Sequence, residues 1–596
     1  LIPIVFLLTA WKHSAITAFT FAVAIAIGIT TLLLPVILSS SLSKGAVRMS
    51  KKKTIVKKLD SIQNFGAMNI LCTDKTGTLT EDKIVLEKYL NIKGEEDLRV
   101  LKHAFLNAFF QTGLKGNIDE AVIKRGIENG LGNFRETYKK VDEVPFDFAR
   151  RRLSVIVSNG SKKQMITKGA VEEILNICTL VDNDGQVEPI TKSIKDNIRK
   201  ISRKLNEDGL RVVAVCQKND ILQNETFDVS DEKNMVLLGF IGFLDPPKES
   251  AKESIKKLNQ VGIRVIVLTG DNAEVTKCIC SKVGINSNKI VLGTQLDKLS
   301  DTAVLRLLKK TNIFAKLSPI QKARIVRLLK DAGNIVGYMG DGINDSPSLT
   351  NSDVGISVDT AVDIAKESAD IILLEKDLNV LLDGVSEGRR TFVNLMKYIK
   401  LATSFNFGEV MSVIIASALL PFLPETPIQL LVEGLLYDFG QMTLPFDHVD
   451  KEDLQKPKKL DIKSLKHFMF FWGPLSSCFD MVVFAFLWFF FNIREAALFQ
   501  TIWFSYSIVS NLVGMHIIRT AKLPFIQSNA HKAVYISSIS LIIIGLLVPF
   551  TGLGAMIGLV PMQFSDIVLI FGVTFLYCIV AILAKKVYLK KYKEWI

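Results

Sequence analysis

The chain has 596 residues, several times the roughly 100 to 200 that one domain usually takes, so a single hydrophobic core is excluded. Hydrophobic residues make up 48% of it and gather at the two ends, whereas the middle, about 47–397, has a water-compatible composition, so the chain reads as a membrane protein with a large soluble insert. The net charge of +13 sits in clusters beside the apolar segments, as at Lys51-Lys52-Lys53, Lys456 to Lys459 and Lys585-Lys586; that is the distribution of membrane flanks, and no nucleic-acid partner is expected.

A membrane helix needs about 20 mainly apolar residues. Residues 1–9 read as the end of one such helix and 16–42 as the next. Leu1 opens an apolar stretch without a basic leader, which is not a signal peptide but fits a chain that starts inside a membrane helix. After the insert come 399–422, 428–445, 468–491, 496–518, 533–553 and 565–584, the first two folded into a hairpin by Pro424-Glu425-Thr426-Pro427. The stretches after Asp447, Arg519 and Lys585 are rich in Lys and Arg, whereas 423–427 and 554–564 have none, so the basic loops and the insert are expected on the cytoplasmic side. Trp488-Phe489-Phe490-Phe491 reads as an interfacial belt.

Within the insert, apolar runs at 69–73, 264–268 and 335–339 each end in a Gly/Asp turn followed by a helical pattern. This is the rhythm of a doubly wound parallel α/β sheet, which binds ligands at the carboxyl ends of its strands. Residues 84–236 carry strands and helices of their own and read as a second, α+β domain inserted into the first. Seven cysteines show no disulfide framework; Cys72, Cys216, Cys278 and Cys280 lie in the insert and suit a reducing cytosol, and the pair Cys278-x-Cys280 reads as structural rather than as a soft-metal site.

All three catalytic candidates fall at strand ends. Asp74-Lys75-Thr76-Gly77-Thr78-Leu79-Thr80 directly follows the strand at 70–73. A carboxylate there can attack a phosphoryl group when turn amides and a metal neutralise the incoming charge, which makes Asp74 the nucleophile. An Asx-turn would account for one Asp but not for the heptapeptide. Gly340-Asp341-Gly342-Ile343-Asn344-Asp345 offers carboxylates for Mg²⁺ beside Asp74, and the candidate metal set is Asp74, Thr76 and Asp341. Thr269-Gly270-Asp271-Asn272 supplies a hydroxyl and amides, and Lys322 a cation, for the same phosphate. Singly, such motifs usually mark turns and solvated surface. Together with Asp74, in this order, they point to phosphoryl transfer, with Asp74, Lys322, Thr269, Asp341, Asn344 and Asp345 as catalytic candidates.

In that combination the chain resembles the P-type ATPases from end to end, DKTGTLT being the phosphorylation motif. The resemblance implies ATP as phosphoryl donor and Mg²⁺ as cofactor. It implies a multidomain fold: an α-helical transmembrane bundle, an α/β haloacid-dehalogenase-like phosphorylation domain and an inserted α+β nucleotide-binding domain. On this reading 1–46 is the end of the third and the whole of the fourth membrane helix, 47–83 and 237–397 form the phosphorylation domain, 84–236 the nucleotide-binding domain, and 398–596 helices five to ten. Carried over by motif, Phe148 of Pro145-Phe146-Asp147-Phe148-Ala149-Arg150 stacks on adenine and Arg150 contacts phosphate. Lys168 of Lys168-Gly169-Ala170 is the nucleotide-site lysine, and Arg211 of Gly209-Leu210-Arg211 a further phosphate contact. From the residues alone, Phe148 reads as core and Lys168 as a surface charge. Asp245-Pro246-Pro247-Lys248 matches the hinge back to the phosphorylation domain, and the family's actuator domain is expected upstream of Leu1.

Ser43-Lys44-Gly45-Ala46, residues 57–80, Leu435-Leu436-Tyr437-Asp438, Pro445-Phe446-Asp447 and residues 524–528 are most similar to the bacterial magnesium-importing subgroup, which implies Mg²⁺ transport across a bacterial plasma membrane. The stretch Thr31-Leu32-Leu33-Leu34-Pro35 keeps the second proline of the family's Pro-Glu-x-x-Pro but has Leu32 at the acid, removing a hard oxygen that such cations prefer. Candidate ligands for the transported ion are Asn406 and Glu409, one turn apart, and Glu433 and Asp438, with a structural carboxyl as the plainer account of Glu409 or Glu433. Asparagines are expected where Glu409 and Gly434 stand, and Asp480 reads as a helix-packing hydrogen bond. A pump for Ca²⁺ or H⁺, a lipid flippase and a non-transporting membrane phospho-sensor stay open as alternatives. No pattern encodes transport direction or oligomeric state.

Overall fold

The computed structural model describes residues 2–12, 14–29, 33–75, 77–81, 83–112, 116–147, 150–160, 162–219, 221 and 226–595, with the backbone alone at 28 and 29. It divides into two compact units, Asn69–Leu382, and Leu1–Met68 together with Asp383–Ile596.

In the first unit seven parallel strands lie in the order Ile371–Leu373, Val354–Val358, Val336–Met339, Ile70–Thr73, Arg264–Leu268, Ile313–Ala315 and Ile290–Leu292. Every residue of the central strand Ile70–Thr73 is buried, as a strand covered on both faces requires. Register then aligns the motifs: Thr73 is level with Met339 on one side and Val267 on the other, so Asp74, Gly340 and, one residue further along its strand, Thr269 leave the sheet at one edge. The helix Pro319–Asp331 begins sharply, with Ser318 and Gln321 capping each other's backbone amides and Pro319 in the first turn. That start sets Lys322 in the first turn, at the end of the helix nearest Asp74.

The inserted domain is an eight-stranded, mostly antiparallel sheet in the order Lys139–Asp147, Arg152–Asn159, Lys162–Gly169, Arg211–Asn219, Met235–Leu244, Cys178–Asn183 and Gln186–Pro189, with Val85–Asn91 also pairing Met235–Leu244. Its last strand runs to Leu244 and leads directly into Asp245-Pro246-Pro247-Lys248. That hinge lies beside the outgoing chain, with the Glu81 amide donating to the Pro246 carbonyl at 2.9 Å and the Lys248 amide to that of Leu79 at 3.0 Å.

Among the described residues, five helices are long and apolar enough to cross a membrane: Leu378–Leu419, which starts before the second unit does, and Ile462–Phe490, Ala496–Ile518, Lys532–Phe550 and Phe564–Tyr592 within it. Three expectations are corrected. Among its described residues the segment 16–42 carries two helices, Ala15–Ile29 and Leu34–Ser50, and Pro35, lacking an amide proton, takes the first turn of the second. Leu32 and Thr31 lie outside the described residues. The segment 399–422 is the end of a 42-residue helix, Leu378–Leu419, about 63 Å long at 1.5 Å per residue; hydropathy registers only its apolar half. The segment 428–445 is a 15-residue helix, Pro427–Gln441, followed by a 3₁₀ turn, too short to span a bilayer core of about 30 Å unaided.

Asp447 ties this unit together. Its Oδ2 accepts from Lys397 Nζ at 2.7 Å and Arg519 Nε at 2.8 Å, and its Oδ1 from the His531 amide at 3.1 Å. All three charged side chains are at most 2% exposed. Burial works against the ionised Asp447 carboxyl, but Lys397 and Arg519 outweigh it and hold its pKa below the ordinary value. Because the folded-state pKa is depressed, this stabilisation is complete above the unfolded carboxylate range and is lost as pH falls through the lowered value. Asp447→Asn should lower stability by about 3 to 5 kcal/mol, since it leaves two buried cations without their anion. Thermal unfolding in detergent at pH 7 checks this, and a variant melting like the parent would contradict it.

Candidate active site

Asp74 leaves the central strand with its amide donating to the Met339 carbonyl at 3.3 Å. Its carboxylate is held at both oxygens: Oδ1 accepts the Lys75 amide at 2.6 Å and Oδ2 the Lys322 ammonium at 2.6 Å. Lys322 also donates to Asp345 Oδ1 at 3.0 Å, and the Tyr338 hydroxyl donates to that oxygen at 2.6 Å. Burial alone would drive Lys322 towards neutrality, but the carboxylates of Asp74 and Asp345 win and raise its pKa, so a full positive charge stands beside Asp74.

A second cation enters from Lys376, whose ammonium bonds Asp341 Oδ2 and packs against Gly77. Gly77 takes φ +71°, and a Cβ there would collide with that ammonium, so the turn requires glycine on both counts. Lys75 turns away from the carboxylate it follows and pairs with Asp271 at 2.6 Å. Thr269 is buried at the end of the adjacent strand, its hydroxyl accepting the Asp271 amide at 3.2 Å. Asn344 is exposed on the 3₁₀ turn Ile343–Asp345, where Asp345 is the member that reaches inward. Thr76 lies outside the described residues. Burial pushes the Cys280 thiol up to about 12, so it is no thiolate at neutral pH.

A cleft of about 1540 Å³ runs from Lys75 and Asp271 to the inserted domain, where Lys168, Arg211, Glu143 and Phe146 line it. Lys168 is buried and bonded to Asp119, which also accepts from Gln111 at 2.7 Å. Phe148 lies outside the described residues; Phe146, which sequence reasoning passed over, is 51% exposed in the cleft wall. Arg150, expected at a phosphate, donates to Glu232 at 2.7 Å, Asp147 at 3.2 Å and the Pro145 carbonyl at 2.6 Å. Arg152 and Ser154 converge on the same Glu232 at 2.6 and 2.7 Å.

In the helical unit the four ion-site candidates share one region in part. Glu409 is in electrostatic reach of Glu433, Asp438 and Asp480. Asn406 lies one turn before Glu409 on Leu378–Leu419 and is half-buried. Asp480 accepts from the Ser412 hydroxyl at 2.5 Å, joining Ile462–Ala485 to Leu378–Leu419 as a packing hydrogen bond. Glu425, not singled out by the sequence, stands beside Glu433. Its signal was a lone charge in an apolar hairpin.

A family profile described as P-type ATPase, cytoplasmic domain N matches residues 104–250, and one described as Cation transporting ATPase, C-terminus matches 422–587. The chain is 45% identical over 595 residues to Magnesium-transporting ATPase, P-type 1 of Escherichia coli (strain K12), across 99% of this chain and 66% of that protein. It is 45% identical over 586 residues to the protein of the same name in Salmonella typhimurium (strain 14028s / SGSC 2262), across 98% of this chain and 64% of that protein. With Calcium-transporting ATPase 1 of Bacillus cereus (strain ATCC 10987 / NRS 248) the identity is 30% over 469 residues, 75% of this chain and 53% of that protein. The chain spans 64 to 66% of the length of these magnesium-transporting relatives. It belongs to the P-type ATPases. With its apolar helices it is a multi-pass membrane protein.

The Glu232 carboxylate is wholly buried and serves two arginines that are at most 16% exposed. Glu232→Gln should therefore destabilise the protein by about 3 to 5 kcal/mol, the usual cost of removing one member of a buried ionic group. Chemical denaturation followed by intrinsic fluorescence measures it; a change below 1 kcal/mol would mean the arginines find another anion, roughly as an exposed pair would.

Proposed function

We propose that this protein transfers the γ-phosphoryl group of ATP to Asp74 and uses the resulting cycle to move a cation, Mg²⁺, across a membrane. One observation carries the reading: the Asp74 carboxylate stands at the carboxyl end of the central parallel strand, oriented by an amide and an ammonium each 2.6 Å away.

In the transfer, an Asp74 oxygen forms a bond to the γ-phosphorus as the bond from that phosphorus to the β,γ-bridging oxygen breaks, and ADP leaves with the electron pair. Lys322 neutralises charge on the phosphoryl oxygens, and Asp345 with Tyr338 fixes the ammonium in place. The turn after Thr269 follows the adjacent strand at the same edge of the sheet and is a candidate for further phosphate oxygens. Lys168, Arg211 and the ring of Phe146 line a cleft large enough for a nucleotide, and Phe148 is a candidate for the same task. The cofactor Mg²⁺ fits the donor set: Asp74 and Asp341 are hard oxygen ligands that already attract ammonium groups, and Mg²⁺ takes one or two carboxylates plus phosphate oxygens and water. When bound, it supplies charge neutralisation at the phosphate.

For the cargo, Asn406, Glu409, Glu433 and Asp438 are hard-oxygen ligands of the class Mg²⁺ takes, and similarity to magnesium-transporting ATPases supports Mg²⁺ over Ca²⁺ or H⁺. The test is acid-stable labelling from [γ-³²P]ATP. Asp74→Asn should fall to background, and Lys322→Gln should label about 100-fold more slowly, as loss of one charge-stabilising group does. Label retained by Asp74→Asn would overturn the reading. Dephosphorylation accelerated by Ca²⁺ or by acid, but not by added Mg²⁺, would reassign the cargo, and indifference to every ion would favour a sensor.

A further inference from the structure

Glu425 sits in the link between the helices Leu378–Leu419 and Pro427–Gln441, and its side chain is 0% exposed. Neither of its carboxyl oxygens meets an ammonium, amide or hydroxyl donor, and their one side-chain hydrogen-bond partner is the Glu433 carboxyl. Its carboxyl group faces that of Glu433, which is 3% exposed and lies two turns into Pro427–Gln441. One Glu433 oxygen accepts from the Ser507 hydroxyl of Ala496–Ile518, and Ser507 Oγ accepts from Asn511 at 3.3 Å. The charges acting on Glu425 come from Glu433, Glu409 and Asp480, all of them acidic.

The link is pinned in this arrangement. Thr426 and Gln429 cap each other's backbone, Gln429 Nε2 donates to the Ile557 carbonyl at 3.0 Å, and Gln500 Nε2 donates to the Leu423 carbonyl at 2.8 Å. Glu425 is therefore held inward by the fold instead of turning to solvent, which an unpartnered acid would otherwise do. Two facing carboxyl groups removed from water need positive charge between them, either a metal ion or one shared proton. The paired carboxyl groups of Glu425 and Glu433 and the Ser507 hydroxyl bonded to Glu433 are hard donors from three elements, the set that a small divalent cation takes with water completing its shell.

We propose that Glu425, Glu433 and Ser507 form a binding site for a hard divalent cation at the hairpin end of these helices, sharing Glu433 with the group around Asn406, Glu409 and Asp438. The hairpin itself carries no Lys or Arg, and a cation beside it in the structure, the Lys12 ammonium, is occupied by the carbonyls of Ser417, Ala418 and Leu420 at 3.1, 2.6 and 2.9 Å. That the ion is transported Mg²⁺ rests on the function proposed above; the existence of the site does not.

The experiment counts bound Mn²⁺, a paramagnetic probe for Mg²⁺, by electron paramagnetic resonance on the full-length protein in detergent without nucleotide. Glu425→Gln and Glu433→Gln should each lose the same single ion, or bind it at least tenfold more weakly, and the double variant should lose no more. Asp438→Asn and Asp341→Asn should leave that ion in place. Ser507→Ala, a smaller change, should weaken the ion while thermal unfolding stays as in the parent, which separates ligand loss from misfolding. An unchanged count and affinity in both glutamine variants would overturn the proposal and leave a shared proton. Phosphoenzyme assayed on the same wild-type sample keeps the two readings apart: its absence would sink the ATPase reading but not a Glu425-dependent ion.

Discussion

The contact between the Lys322 ammonium and the Asp74 carboxylate, 2.6 Å at the end of a fully buried strand, sets the terms for the unit Asn69–Leu382. A charge so little solvated must be answered locally, and the fold does so from three directions. The capped start of Pro319–Asp331 brings the lysine, the strand Val336–Met339 brings Tyr338 and leads to Asp345, and the turn after Asp74 brings its own amide. Parallel register makes this possible, since it delivers all of these chain segments to one edge of the sheet. The elements that hold Asp74 are thus the ones that would hold a phosphoryl group in the proposed transfer.

The helical unit solves a related problem with the opposite balance. At Asp447 one buried acid is shared by two buried bases, and the result is a closed, neutralised junction. Around Glu409, Glu425, Glu433 and Asp480 acids interact chiefly with acids and hydroxyls. A structural junction needs no visiting charge. A region with surplus acid does, which is why buried acids inside a membrane bundle point to ions or protons.

How much of this could be read from residues alone depends on how local the signal was. Asp74, the strand before it and the βα rhythm were legible because a motif, a β-branched run and a turn coincide within about a dozen residues. The length of Leu378–Leu419 was not, because its first half carries Asp383, Glu387, Arg389, Arg390 and Lys397 and hydropathy reports only the apolar half. Residues 16–42 looked continuous because apolarity hides a helix restart that only Pro35 marks. Arg150 matched a phosphate-contact motif, yet its partner Glu232 lies 82 residues away, a pairing no local pattern contains. Glu425 was visible as a letter but not as a buried group, since a hairpin acid is ordinarily solvated. Thr76, Phe148 and Leu32 lie outside the described residues, so their roles rest on the motifs that carry them.

The most direct measurement of the central claim is chemical localisation of the phosphate. Acid-quenched protein, after incubation with ATP, is reduced with borohydride, which converts an aspartyl phosphate to homoserine, and the peptide spanning 69–80 is sequenced by mass spectrometry. The account predicts homoserine at position 74, the single aspartate of that peptide. Unmodified aspartate at 74, with phosphate found on a serine, threonine or histidine elsewhere, would contradict it.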